Sequence, residues 1–286
     1  MTQPEARSRD AVATKPRPAP QQGRAPQAAQ KPLLVVRGLV KIYGKRTVVD
    51  GVSFHVNPSE IVGLLGPNGA GKTTSFHMTV GLITPEQGKV EFDGVDITRH
   101  AMFKRARLGI GYLSQERSVF RQMTVEENIL AVLEVRGYAR AQRAEITQAL
   151  LDELGIAFLA KNRADTLSGG ESRRLEIART LATDPRLILL DEPFSGVDPK
   201  AKEEISEILV ALKKRGIGIL LTDHDVHSTL STTDRSYIIS AGKILREGLP
   251  RDLVNDEEVR RVYLGQRFRY DDTRGESPAA DARGSD

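Results

Sequence analysis

The chain has 286 residues, enough for one large or two small domains with a substantial core. It contains no cysteine, which excludes disulfides, thiol catalysis and cysteine-ligated metal centres. Charged residues make up 28% and hydrophobic residues 39%, and no stretch approaches the roughly 18 consecutive apolar residues of a membrane span. The net charge of +4 resides in residues 1–31, where Arg7, Arg9, Lys15, Arg17, Arg24 and Lys31 face only Glu5 and Asp10. The rest of the chain balances to neutrality, which argues against a nucleic-acid-binding fold.

Residues 1–32 are rich in Pro, Ala, Gln and Arg with almost no large apolar side chains, and are expected to form a disordered tail. They lack the continuous apolar core of a secretory signal. Apolar runs at Leu33–Val36 and Val48–Val56 read as strands, and Asn57-Pro58-Ser59 turns the chain. Glu60–Leu65 is a candidate buried strand, and a helix is expected over Thr74–Val80. Residues 114–166 read as a mostly helical lobe, with periodic apolar positions at Ile129, Leu130, Val132 and Leu133 and again at Ile146, Leu150, Leu151 and Leu154. A helix over Ser172–Leu181, a buried strand at Leu187–Leu190 and another at Ile217–Leu221 complete the globular unit, taken as residues 33–268, and 269–286 form a second loose tail.

Gly66-Pro67-Asn68-Gly69-Ala70-Gly71-Lys72-Thr73 fits G-x-x-x-x-G-K-[ST] directly between a strand and a helix. In that context successive backbone N–H groups wrap a polyphosphate, Lys72 reaches the β and γ oxygens, and the Thr73 hydroxyl suits Mg²⁺. The apolar run ending in Asp191-Glu192 places one carboxylate to hold a metal through water and the other to activate the attacking water. Together these two segments point to hydrolysis of a nucleoside triphosphate. Leu167-Ser168-Gly169-Gly170-Glu171 leads into a helix and offers further free N–H groups; an ordinary Ser N-cap is the competing reading.

With these motifs the chain resembles the ATP-binding-cassette (ABC) ATPases across about residues 33–250, with Leu167–Glu171 as the signature segment. The resemblance implies an α/β P-loop NTPase fold of ABC type: a mixed β core, a helical lobe and an antiparallel β subdomain. It implies ATP and Mg²⁺ as ligands, Tyr43 as the aromatic under adenine, Gln115 as a γ-phosphate- and metal-sensing glutamine, Asp198 in the loop Ser195–Asp198, and His224 as the switch histidine. Plainer readings exist for each, among them a strand aromatic for Tyr43 and a helix cap before Pro199 for Asp198. The nucleotide set is then Tyr43, Gly66 to Thr74 and Ser168, Gly169, Gly170 and Asp198; the catalytic set is Glu192, His224 and Gln115; and the metal set is Thr73, Gln115 and Asp191. The resemblance also implies a head-to-tail homodimer, in which Ser168 and Gly170 of one subunit close over ATP held by Lys72 and Thr73 of the other.

A single phosphate loop, no membrane span and only 95 residues between Lys72 and Ser168 match a stand-alone ATPase subunit of a transporter, working with integral-membrane subunits and without direct cargo contact. Gly109–Glu116, Val119–Asn128, Thr222–Val226 and Tyr263-Leu264-Gly265 followed by Phe268-Arg269 resemble the ATPases of bacterial lipopolysaccharide export most closely. That implies a peripheral position on the cytoplasmic face of the inner membrane, with Phe120, Arg121 and Met123 as candidate contacts to the membrane partner. ATPases of branched-chain amino-acid importers share much of the pattern and are the alternative; a soluble ABC ATPase acting on nucleic acid or ribosomes is a more distant one. Ser114 stands where proline is common, and the basic tail is an addition.

Overall fold

The computed structural model describes residues 31–116 and 118–270. The tail expected over 1–32 thus lies almost wholly outside the described residues, as does most of the one over 269–286. Among the described residues ten strands form two sheets. The first is antiparallel, in the order β2-β1-β4-β5, from β1 (Leu34–Tyr43), β2 (Arg46–Val56), β4 (Gln87–Phe92) and β5 (Val95–Asp96). The second has the order β10-β9-β3-β8-β7-β6, from β3 (Ile61–Leu65), β6 (Ile110–Leu113), β7 (Leu187–Asp191), β8 (Gly218–Thr222), β9 (Arg235–Ser240) and β10 (Lys243–Gly248). Its strands are parallel except for the edge strand β10.

The apolar runs at β3, β7 and β8 are buried on both faces, and successive side chains divide between two cores as the pleat demands. Ile61, Ile188, Leu190, Ile219 and Leu221 face a core shared with α5 (Gly169–Leu181), α6 (Pro199–Lys214) and the helical lobe. Val62, Leu64, Leu187, Leu189 and Leu220 face the opposite core, shared with α1 (Lys72–Val80) and the antiparallel sheet. A third cluster joins α7 (Val226–Thr232), α8 (Pro250–Asn255) and the C-terminal segment, where Tyr270 Oη donates to Leu230 O at 3.1 Å.

The central helices start earlier than their apolar periodicity suggests. The helix expected from Ser172 begins at Gly169, because Ser168 and Glu171 form a capping box that fixes the start. Gly170 is required there: a Cβ would stand 2.7 Å from Ala201 Cβ on α6. In the lobe, α3 (Val125–Val135) opens on a Thr124–Glu127 capping box and α4 (Arg140–Glu153) follows it. Buried Asn128 pins the preceding loop, accepting from Phe120 N (2.8 Å) and donating to Phe120 O (3.1 Å) and Thr124 O (2.9 Å).

A short helix, α2 (Met102–Arg107), carries Arg105, which is 1% exposed. Its guanidinium donates to Met78 O and Thr79 O (2.6 Å) at the end of α1, to Thr98 O (3.0 Å) and to His100 O (2.8 Å). Burial pushes its pKa down to about 10. One cation thereby satisfies carbonyls at the C-terminus of α1 and ties that helix to the segment that follows β5.

Candidate active site

The loop after β3 is held on both sides by backbone. A Cβ on Gly66 (φ +148°) would fall 2.0 Å from Ile239 O, and one on Gly71 (φ +100°) 2.7 Å from Val48 O. Ala70 is buried and its carbonyl accepts from Gly242 N at 2.9 Å. The loop therefore cannot relax outward, and its glycines are fixed by close approach as well as by φ. It delivers the start of α1, whose cap, Gly71, offers no side-chain acceptor and whose first turn contains no acid. Free N–H groups and the positive end of the helix dipole thus face the cleft, an arrangement suited to an anion.

Lys72 is partly buried, and its Nζ donates to Gly66 O and to Pro67 O (2.9 Å). Desolvation lowers its pKa, with the Glu192 carboxylate opposing. A polyphosphate is the kind of group that would compensate such a cation.

The C-terminal ends of three adjacent parallel strands converge beside it. Gln115 follows β6, Glu192 follows β7 and His224 follows β8. Gln115 Nε2 donates to Glu192 Oε2 at 2.8 Å, and His224 Nδ1 lies 3.3 Å from the same oxygen. Glu192 has φ +48°, a costly conformation for glutamate, and its N–H is tied to Thr222 O at 2.7 Å. That tie turns the carboxylate out of strand direction and into the cleft. Behind His224, buried Asp223 accepts from Phe194 N (2.8 Å) and Asp225 N (2.9 Å), and burial raises its pKa.

A cleft of about 160 Å³ is lined by Val48, Asn68, Gly69, Gly71, Lys72, Thr73, Thr74, Glu192 and His224. The fold thus brings together the phosphate loop, Glu192 and His224, with Gln115 attached through its hydrogen bond. Asp191, 6% exposed at the end of β7, receives His77 of α1, Nε2 to Oδ2 3.2 Å. His77 was not among the expected residues. The signal for it is spacing: four residues after Thr73, it lies on the same helix face.

The remaining expected residues do not line this cleft. Tyr43 ends β1, 49% exposed, with Lys41 Nζ 5.3 Å from its ring centroid. Ser168 accepts from Glu171 N as the cap of α5, and Asp198 accepts from Ala201 N (3.0 Å) as the cap of α6. Both helix caps are formed, and neither Ser168, Gly169 and Gly170 nor Asp198 lines the cleft beside the phosphate loop of the same chain.

Residues with hard oxygen donors fit Mg²⁺: the Thr73 hydroxyl, the Asp191 carboxylate, and the Gln115 carbonyl oxygen, since its amide nitrogen is given to Glu192. Among the described residues no group of three or more His, Cys, Asp or Glu could hold a metal. One carboxylate supplemented by substrate phosphates is a usual setting for this ion.

Residues 49–195 match the family described as ABC transporter. The chain is 52% identical over 238 residues, 83% of its length and 99% of the relative's, to the lipopolysaccharide export system ATP-binding protein LptB of Haemophilus influenzae. It is 48% identical to the protein of the same name from Escherichia coli K12, covering 82% of this chain and 98% of that one. Among solved structures it resembles the ADP conformation of an ATP-binding cassette of an ABC transporter, with TM-score 0.74, 29% identity, and coverage of 83% and 100%. It is also similar to cbiO1 of Clostridium perfringens, part of the transporter complex cbiONQ, with TM-score 0.74, 26% identity, and coverage of 81% and 94%.

Proposed function

Because this chain belongs to the ABC transporter family as an ATP-hydrolysing, ATP-binding subunit, we propose that it powers lipopolysaccharide export from the inner membrane, working as a homodimer beneath integral-membrane partners. The observation that carries the catalytic part is the convergence of Gln115, Glu192 and His224 on one oxygen beside the phosphate loop. The cargo reading rests on about half of the residues being identical to export ATPases over nearly their whole length.

In this reading the N–H groups of Gly69 to Thr74 and the Lys72 ammonium hold the β- and γ-phosphates, and Tyr43 stacks on adenine. Thr73, Gln115 and Asp191 hold Mg²⁺, which when bound neutralises charge on the phosphate oxygens. Glu192 orients the attacking water and accepts its proton. Gln115 fixes the Glu192 carboxylate, and His224 donates to a phosphate oxygen from the other side. The Ser168 hydroxyl, the N–H groups of Gly169 and Gly170 and the Asp198 loop complete the site from the partner subunit. In this reading ATP closes the dimer because groups of both subunits bind it. Hydrolysis reopens it, and the movement passes to membrane helices seated near Phe120 and Met123, which are 48% and 37% exposed.

Among the described residues no helix is long and apolar enough to cross a membrane, so the transport path in this reading belongs to other chains. Gentle solubilisation of membranes from cells carrying a tagged chain, followed by identification of co-purifying membrane proteins, tests the cargo. Partners with large periplasmic β-rich domains support export of lipopolysaccharide. Permeases of the branched-chain amino-acid type would replace that reading with an importer.

A further inference from the structure

Helix α5 contains an ion pair that nothing in the hydrolytic chemistry above uses. Arg173 and Glu176 are one turn apart, their side chains 8% and 4% exposed, with Nη1 to Oε2 2.8 Å. A buried charged pair is costly to desolvate and is weak evidence for stability as such. The remaining hydrogen-bonding capacity of this pair goes to the backbone on either side of the catalytic residues. Arg173 Nη1 donates to Ser114 O at 3.0 Å, immediately before Gln115, and Nη2 donates to Asp191 O at 3.3 Å, immediately before Glu192. Glu176 Oε1 accepts from Ser118 N at 2.8 Å, beyond Gln115 on the other side. One guanidinium thus spans the two backbone segments that carry the 2.8 Å Gln115–Glu192 hydrogen bond, and its ion-pair partner holds the far end of the same loop.

We infer that Arg173 and Glu176 are positioning residues: a brace on α5 that sets where Gln115 stands relative to Glu192. The inference rests on the roles assigned to those two residues above. The planar fork is what the geometry requires. Two donors in one plane reach Ser114 O and Asp191 O together, whereas a lysine ammonium at this position reaches one segment or the other. The brace also extends outward. Arg179, one turn further along α5, donates to Ser118 O, and its guanidinium stands 4.5 Å from the ring centroid of exposed Phe120. A partner pressing on Phe120 therefore bears on the segment that Glu176 holds.

A pair serving only stability and a brace make opposite demands on a double variant. Removing Arg173 alone strands a buried carboxylate, so Arg173→Met is expected to lower both the melting temperature and turnover. Replacing both residues, Arg173→Met with Glu176→Met, removes the stranded charge and is expected to restore most of the melting temperature. Turnover in the double variant is expected to stay about tenfold to a hundredfold low, as for a misplaced catalytic group, with KM for ATP within about twofold. Arg173→Lys keeps the charge pair and tests the fork without depending on the double variant: near-native melting with reduced kcat and unchanged KM is expected. Wild-type kcat in Arg173→Lys, or in the folded double variant, would overturn the brace. Glu192→Gln assayed in parallel separates the two levels. If it turns over normally the catalytic assignment itself is wrong; if it is inactive while the brace variants are fully active, only the brace is wrong.

Discussion

Glu192→Gln removes the proposed base while changing little else. The amide keeps an oxygen able to accept from Gln115 Nε2, now at 2.8 Å from the carboxylate, and the backbone tie from residue 192 N to Thr222 O is untouched. A hydrogen bond to a charged group, about 1.5–3 kcal/mol, becomes a neutral one of about 0.5–1.5, so the folded state should lose about 1 kcal/mol. For a unit of this size that shifts the melting temperature by about 2–4 °C. Loss of general-base catalysis costs about 10²- to 10⁴-fold in turnover, or about 2.7–5.5 kcal/mol of barrier at 1.36 kcal/mol per decade. Phosphate release from purified protein with its membrane partners measures turnover, and nucleotide titration with size analysis measures binding and dimer closure. The expected result is a stable, ATP-trapped dimer with turnover reduced at least about a hundredfold. Turnover within twofold of wild type would refute Glu192 as the base, and an equal loss of nucleotide binding would show that its role is in the cradle instead.

Other outcomes follow from the same geometry. Lys72→Ala removes the cation that opens α1 beside the phosphate loop and should weaken ATP binding, measured by equilibrium titration; the melting temperature should change little. Chelating divalent cations should abolish turnover while leaving a measurable fraction of nucleotide bound. Arg105→Met leaves four carbonyls at Met78, Thr79, Thr98 and His100 without their donor. At about 1–3 kcal/mol per stranded group, less the relief of burying one cation fewer, a net loss of about 2–4 kcal/mol is expected in urea unfolding. Phe120→Ala should leave ATP affinity unchanged and reduce transport per ATP hydrolysed; weaker ATP binding would count against a contact at the membrane partner.

Much of this protein is local and therefore readable along the chain. The glycine-rich loop, the apolar runs of β3, β7 and β8, and the Ser168 and Asp198 caps each depend on residues within a few positions of one another, so propensity and spacing declare them. The starts of α1 and α5 were less legible. The first opens on Lys72 directly after the left-handed Gly71 cap, and the second opens on Gly169 and Gly170, whose helical placement is imposed by the Ser168–Glu171 capping box and by the close packing of Gly170 against Ala201. His77 was missed because its partner, Asp191, lies 114 residues away.

What the sequence determined by itself was chemistry in pieces: a phosphate cradle, a carboxylate pair after a buried strand, a histidine after another, and a glutamine in a loop. Tertiary structure decided their adjacency. The parallel order β3-β8-β7-β6 sets the phosphate loop, His224, Glu192 and Gln115 side by side at the C-terminal ends of the strands, although Gln115 and Glu192 are 77 residues apart. Buried strands of Ile, Leu and Val carry no mark of which neighbour they will pair with, because either face of each is equally apolar. That choice is made by crossover handedness and by the helices packed on both faces, and hence only by the folded chain.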